Sequence, residues 1–398
     1  THLLLFEADN GISVVKDSVY YTVNPPITYQ NPPVGTKNGV TLLNDSTALF
    51  QLYAPEKDHV YLVGDFNGWL PSGPYHMNCS LDSTRWWLVV GGLSPGQTYG
   101  YQYLITNQAR YADPLSTLIL DPNNDNFVGN TTFPNMHPYP TGLTTGFVSV
   151  FQTTPPTYTW LNTGFNRPAK KDLVIYELLV RDFVSARNYQ TLIDTIAYLD
   201  RLGINAIELM PNLEFEGNQS WGYNPSFHMA LDKYYGTAQK FKEFVDTCHG
   251  RGIAVIIDMV LNHAFGSSPH AQMYWDGTNN KPATNNPWLN PDARHPFNVG
   301  NDFNHESQAT RDLVARVVRH WLTNYKIDGF RWDLSKGFTQ TNNPNNVGAW
   351  GNYDASRVAI WKRIYDSSQA VSPNSYCILE HFADNTEEKE LSDYGMLF

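Results

Sequence analysis

In the stretch Ile327–Lys336, reading IDGFRWDLSK, a short apolar run ends in charge. Ile327, Gly329 and Phe330 read as a buried strand, and Gly329 permits close approach of a neighbouring backbone. Arg331 and Asp333 stand two apart on that strand, so their side chains point to one face. A guanidinium beside a carboxylate favours the ionised form, the state in which a carboxylate acts as a nucleophile. A structural ion pair at a strand end would use the same two residues. The rest of the chain decides between these readings.

Outward from that stretch, strands and helices alternate from Asp172 onward. Strands are expected at Leu173–Leu179, Ala206–Met210, Ala254–Val260, the opening stretch itself and Tyr376–Leu379. Between them, helices are expected at Tyr189–Leu202, Thr237–Gly250, Ser307–Tyr325 and Tyr353–Gln369, with a last one near Asn385–Asp393. Leu192, Ile193, Ile196 and Leu199 fall on one helical face, Gly203 stops that helix, and Thr237 is a good N-cap. A polar insertion at 264–305 interrupts the pattern, and Met396-Leu397-Phe398 reads as the start of a sixth strand. Strands each followed by a helix imply parallel pairing, in a barrel or a doubly wound sheet. No Gly-rich phosphate loop follows the first strand, which disfavours a nucleotide-binding sheet.

Polar residues gather where these strands end. The third strand ends Asp258-Met-Val-Leu-Asn262-His263, the fourth Arg331-Trp332-Asp333, and the fifth Glu380-His381. Three successive strand ends carrying Asp/His, Arg/Asp and Glu/His match where a parallel barrel places its chemistry. Two carboxyl groups in different environments suit retaining glycoside cleavage, one as nucleophile and the other as general acid and base. With Arg331 beside it, Asp333 is expected to be the anionic nucleophile. Glu380 has no fixed cation adjacent in sequence and is expected to feel Asp333, which would hold its proton on as the acid/base.

Composition agrees with a sugar partner. The net charge of −11 and pI near 5.5 argue against nucleic acid. Hydrophobic content of 41% with 16% charged residues describes a globular chain, and an aromatic share of 14% supplies rings suited to stacking on sugars. No stretch approaches a membrane span of about 20 apolar residues. Cys79, Cys248 and Cys377 lack metal-ligand spacing and are expected to be free, buried thiols. Abundant Asn, Thr and Tyr with scarce Lys fit a secreted or periplasmic protein, with a cytoplasmic enzyme as the alternative. The chain opens without Met, so a processed or excised polypeptide is expected.

Ahead of the β/α region, short strands at turn-punctuated spacing read as a β-sandwich. They are expected at Thr47–Tyr53, Val60–Gly64, Trp86–Gly91, Tyr99–Thr106 and Ser116–Leu120. Earlier runs at Leu3–Phe6 and Ser18–Val23 read as strands of a separate β element. Within the sandwich, GDFNGW (Gly64–Trp69) resembles the GDFNxW motif of carbohydrate-binding module family 48, as does Tyr111-Ala-Asp-Pro114. Trp69 is expected to pack the module rather than bind sugar.

The larger part of the chain resembles glycoside hydrolase family 13, the α-amylase family. Asp258–His263, Gly329–Lys336 and Leu379–His381 resemble that family's first three conserved regions. Gly203–Pro211 (GINAIELMP) resembles its strand-two segment, and Trp221–Pro225 (WGYNP) the loop beyond. The resemblance implies that Asp333 is the nucleophile, Glu380 the acid/base and Arg331 the residue that orients Asp333. It also implies that Tyr223 and His263 hold the sugar, that Lys336 contacts the leaving side, and that Asp258 supports the site structurally. His381, next to Glu380, is placed with the substrate-binding residues.

In some relatives the residue at Asn262 binds calcium. The insertion here is short and not clearly acidic, so no cofactor is expected. The implied architecture is a β segment (1–36), an immunoglobulin-like β-sandwich (37–132), a linker (133–165) and a (β/α)8 TIM-type barrel (166–398). About five of the barrel's β/α units are present, with the insertion at 264–305. The family's fourth region, which supplies a third carboxylate, is not found. A companion C-terminal segment completing the barrel is therefore expected, with this fragment inactive alone. The implied substrate is starch, glycogen or maltooligosaccharide, cleaved at α-1,4 links. The alternatives are a branching or debranching (pullulanase- or isoamylase-like) enzyme and a non-catalytic glucan-binding protein.

Overall fold

A computed structural model describes residues 2–21, 24–105 and 109–398. The expected strand residues Thr22, Val23 and Thr106 lie outside the described residues. The chain divides into two compact units, 1–113 with 139–155, and 114–138 with 156–398.

The first unit is β-rich. His2–Asp9 and Val14–Tyr21 form an antiparallel hairpin. Strands Gly39–Asn44, Thr47–Tyr53, Arg85–Val90 and Asn78–Cys79 form one antiparallel sheet. Val60–Gly64, Thr98–Ile105 and Val148–Gln152 form the core of a second. The two sheets meet through aromatic rings: Phe50 of the first lies 5.0 Å from Tyr101 and 5.2 Å from Phe151 of the second. Trp69 is buried, with its indole N–H donated to Asp65 at 3.0 Å. Trp86 and Trp87 are buried as well, so the packing role expected for Trp69 holds.

The linker expected at 133–165 is a correction. Its segment Val148–Gln152 is a full strand of the second sheet, carrying buried Val148 and Val150. The flanking Pro and Thr residues obscured its alternating pattern. Further along, Asp246 accepts hydrogen bonds from the Tyr158 hydroxyl and from the N–H groups of Leu161 and Asn162, docking that end on the second unit. The expected end of the sandwich at 132 is also too late. Residues 114–138 belong to the second unit, where Asp125 pairs with buried Lys233 at 3.2 Å.

In the second unit, five parallel strands stand side by side in chain order: Ile175–Leu178, Ala206–Leu209, Ala254–Met259, Gly329–Trp332 and Tyr376–Leu379. Sequential order is what successive right-handed β/α units produce in a barrel wall. Leu397 bridges to Ile378 in parallel, where a sixth strand was expected. The four long helices between these strands start at side-chain caps, Asn188, Thr237, Ser307 and Asp354. Gly203 ends the first of these helices at φ 78°. The insertion is ordered: His263–Ala264 pairs with Asn301–Asp302, and Trp288, Leu289 and Phe303 are buried beneath it. Unanticipated was the hairpin of Leu213–Phe215 with Pro225–Leu231. Cys79, Cys248 and Cys377 are free and buried, as expected.

The fourth strand shows why position 329 is glycine. A Cβ there would meet Tyr376 O at 2.3 Å and Tyr376 N at 2.6 Å, both backbone atoms of the fifth strand. Gly329→Ala therefore forces the two strands apart and is expected to destabilise the protein by about 2 kcal/mol or more. Urea unfolding of the variant against wild type checks this.

Candidate active site

Strand register builds the site. Asp258 of the third strand lies directly beside Arg331 of the fourth, and Ile378 of the fifth follows in the same row. Asp333 and Glu380 sit just past their strand ends, where Asp333 N–H still donates to Met259 O and Glu380 N–H to Trp332 O. Arg331 occupies the centre. Its Nη1 donates to both oxygens of Asp258 at 3.0 Å and lies 3.5 Å from Asp333 Oδ1. Its Nη2 lies 3.3 Å from Glu380 Oε1. With one planar guanidinium touching both, those oxygens of Asp333 and Glu380 are at most about 9 Å apart, a bound that admits the spacing of retaining and of inverting carboxyl pairs alike.

Two expectations about charge are corrected by this geometry. Asp333 is mostly buried, and burial pushes its carboxyl up to about 6. The Asn262 amide and the Arg331 charge pull it down, while Glu380 pushes it further up, and desolvation prevails. Nor does Glu380 stand clear of a fixed cation, since it shares Arg331, and its Oε2 accepts the Leu334 N–H at 2.8 Å. Leu334 holds that N–H in place from a left-handed conformation, φ 42°. What separates the two carboxyls is access: the Glu380 side chain is 30% exposed and that of Asp333 16%.

The supporting residues differ from expectation in part. Asp258 is wholly buried and accepts from the Tyr223 hydroxyl at 2.8 Å, as a scaffold would. Tyr223 itself is half-buried against it. His263, expected to hold sugar, is 1% exposed, with Nδ1 against Asn262 Oδ1 and Nε2 2.9 Å from Tyr223 O. Burial pushes its imidazole down to about 4. His381, placed with the substrate-binding residues, instead lies behind the site. Its ring joins Ser335 Oγ at 2.9 Å and Glu387 Oε1 at 2.7 Å, and Glu387 in turn pairs with buried Arg357. Lys336 donates to Phe382 O at 2.7 Å and lies 4.0 Å from the Trp350 ring centre. Asn262 turns its oxygen to the His263 ring, and its amide nitrogen donates to Asp333.

Glu177 and Glu208, not anticipated from the sequence, stand side by side on the first two strands. A signal existed. Both strands, IYEL and AIEL, carry a glutamate at the third position of an otherwise unchanged-looking β pattern.

Residues 185–301 match the family model for the α-amylase catalytic domain. This chain belongs to the α-amylase family. Among curated relatives, the α-amylase-family match includes the 1,4-alpha-glucan branching enzyme GlgB of Cupriavidus pinatubonensis. The two are 30% identical over 302 residues, which is 71% of this chain and 37% of the relative. The malto-oligosyltrehalose trehalohydrolase of Saccharolobus solfataricus is 29% identical over 193 residues, 48% of this chain and 32% of that protein. The chain thus spans less than half the length of these curated relatives. The Group B Streptococcus pullulanase SAP, solved in complex with maltotetraose, superposes with a TM-score of 0.62 at 18% identity. That alignment covers 87% of this chain and 46% of the pullulanase, and it supports the fold. Among the described residues no helix is long and apolar enough to cross a membrane.

The raised Asp333 carboxyl links stability to pH. Its protonated form favours the folded state, a contribution complete below about pH 4 and lost as the pH rises through about 6. Asp333→Asn removes the charge while keeping the shape. Relative to wild type, the variant is expected to gain about 2 kcal/mol between pH 4 and pH 7.5. Paired urea denaturation at the two pH values checks the sign.

Proposed function

We propose that this α-amylase-family chain carries the nucleophile and acid/base of a retaining enzyme acting on α-glucans. In this reading Asp333 attacks the anomeric carbon while the Glu380 carboxyl protonates the departing glycosidic oxygen. Glu380 then activates water or a sugar hydroxyl to release the glycosyl group from Asp333. The observation that carries the proposal is the single guanidinium of Arg331 bridging Asp333 and Glu380 at the C-terminal ends of adjacent strands. The roles follow from access. The less exposed Asp333 is shielded for attack, and at neutral pH it is ionised even with its carboxyl at about 6. The more exposed Glu380 can exchange its proton with solvent and with an acceptor. Tyr223 and Asp258 hold Arg331 in place, and the first unit serves as a packed β module resembling carbohydrate-binding module family 48.

Hydrolysis of α-1,4 links is one outcome of that chemistry. Transfer to a sugar hydroxyl is the other, and the branching-enzyme relatives that align over most of this chain favour it as a second reading. Intact Asp333, Glu380 and Arg331 speak against a glucan-binding protein without catalysis.

The test uses the full-length protein carrying this chain, on amylose. Asp333→Asn and Glu380→Gln are each expected to lower turnover by on the order of 10³-fold with binding retained. Turnover within tenfold of wild type in either variant would refute the assignment. New reducing ends report hydrolysis, whereas a shifted iodine colour without new reducing ends reports transfer.

A further inference from the structure

Arg331 has a fourth carboxylate neighbour that the roles above leave unused. Glu208, the third residue of the second strand, places Oε1 3.8 Å from Arg331 Nε. It is 8% exposed. Its register partners are Glu177 on the first strand and Ile256 on the third. One carboxylate oxygen from each of Glu177, Glu208 and Asp258 falls within 4.8 Å of the others. A single guanidinium is thereby shared among Glu208, Asp258, Asp333 and Glu380. Fully ionised, that group would carry three uncompensated negative charges in a largely buried site, which like-charge repulsion opposes.

We propose that Glu208 is a positioning residue, whose charge state sets how much of the Arg331 guanidinium remains for Asp333 and Glu380. The proposal rests on the functional reading above. Among these carboxyls, Glu208 is suited to hold the shared proton because its contact with Arg331 is the longest of the four. Burial raises its carboxyl, Arg331 lowers it, and Glu177 and Glu380 raise it again, to about 7. The charged and titratable groups around it therefore come from the first strand (Glu177), the third (Asp258), the fourth (Arg331) and the fifth (Glu380), with the Tyr223 hydroxyl behind Asp258. Below neutrality a protonated Glu208 leaves Arg331 to the two reacting carboxyls. Above it, the Glu208 anion competes for Arg331 and adds negative potential, which helps the transferable proton stay on.

The experiment compares Glu208→Gln with wild type in the full-length protein. In the pH profile of kcat/KM on amylose, the alkaline limb is expected to move down by about half to one pH unit, and the acid limb to move less. Glu208→Asp keeps the charge and is expected to retain the wild-type limb. Unmoved limbs in Glu208→Gln, or equal shifts in both variants, overturn the proposal whatever happens to kcat. A second measurement needs no turnover and survives a poorly folding variant: carbon-13 NMR of labelled glutamate carboxyls in the wild-type protein. The Glu208 carboxyl, assigned as the glutamate signal missing from Glu208→Asp, is expected to titrate near pH 7. A Glu208 signal that does not titrate between about pH 6 and 8 overturns the proposal. If it does titrate there but Asp333→Asn remains active, the fault lies with the functional reading instead.

Discussion

One guanidinium reaches carboxylates from four strands. Arg331 touches Asp258 at 3.0 Å, Glu380 at 3.3 Å, Asp333 at 3.5 Å and Glu208 at 3.8 Å. Buried anions are tolerated only when paired and hydrogen-bonded, so this cation makes the acidic mouth of the sheet compatible with folding. Its placement is a consequence of register. Asp258 and Arg331 face each other across two parallel strands, and a one-residue slip would send either side chain to the opposite face.

Around that cation, the site is held by layers of satisfied polar groups. Tyr223 fixes Asp258, and Asn262 bridges the Asp333 carboxylate to His263. Behind the fifth strand, Glu387 joins His381 to Arg357, with all three side chains buried. The left-handed backbone at Leu334 stores strain next to the reacting groups and directs an N–H onto Glu380. The effect is to restrict both carboxyls to one geometry, which is how positioned groups gain over free ones.

Much of the fold was legible because its periodicities are local. Capping residues and apolar faces located Tyr189–Arg201, Ala238–His249 and Gln308–Asn324 to within about two residues. The strand Val148–Gln152 was not legible. Its pairing partner, Thr98–Ile105, lies some fifty residues earlier, and the Pro- and Thr-rich surroundings resemble a linker. The assignment of 114–138 failed for the same reason, since the Asp125–Lys233 pair spans more than a hundred positions.

The sequence by itself determined which residues meet. Arg331 lies on the fourth strand with Asp333 just past its end, Asp258 and Glu380 stand at the ends of its neighbours, and Gly329 lets the fifth strand close in. These follow from side-chain alternation and the order of β/α units. Only the tertiary structure decided their charges and their partners. Desolvation outweighs the pull of Arg331 on Asp333, Glu380 shares that same cation, and His263 and His381 turn into the protein. Desolvation depends on everything packed around a group in three dimensions, and spacing along the chain carries no measure of it.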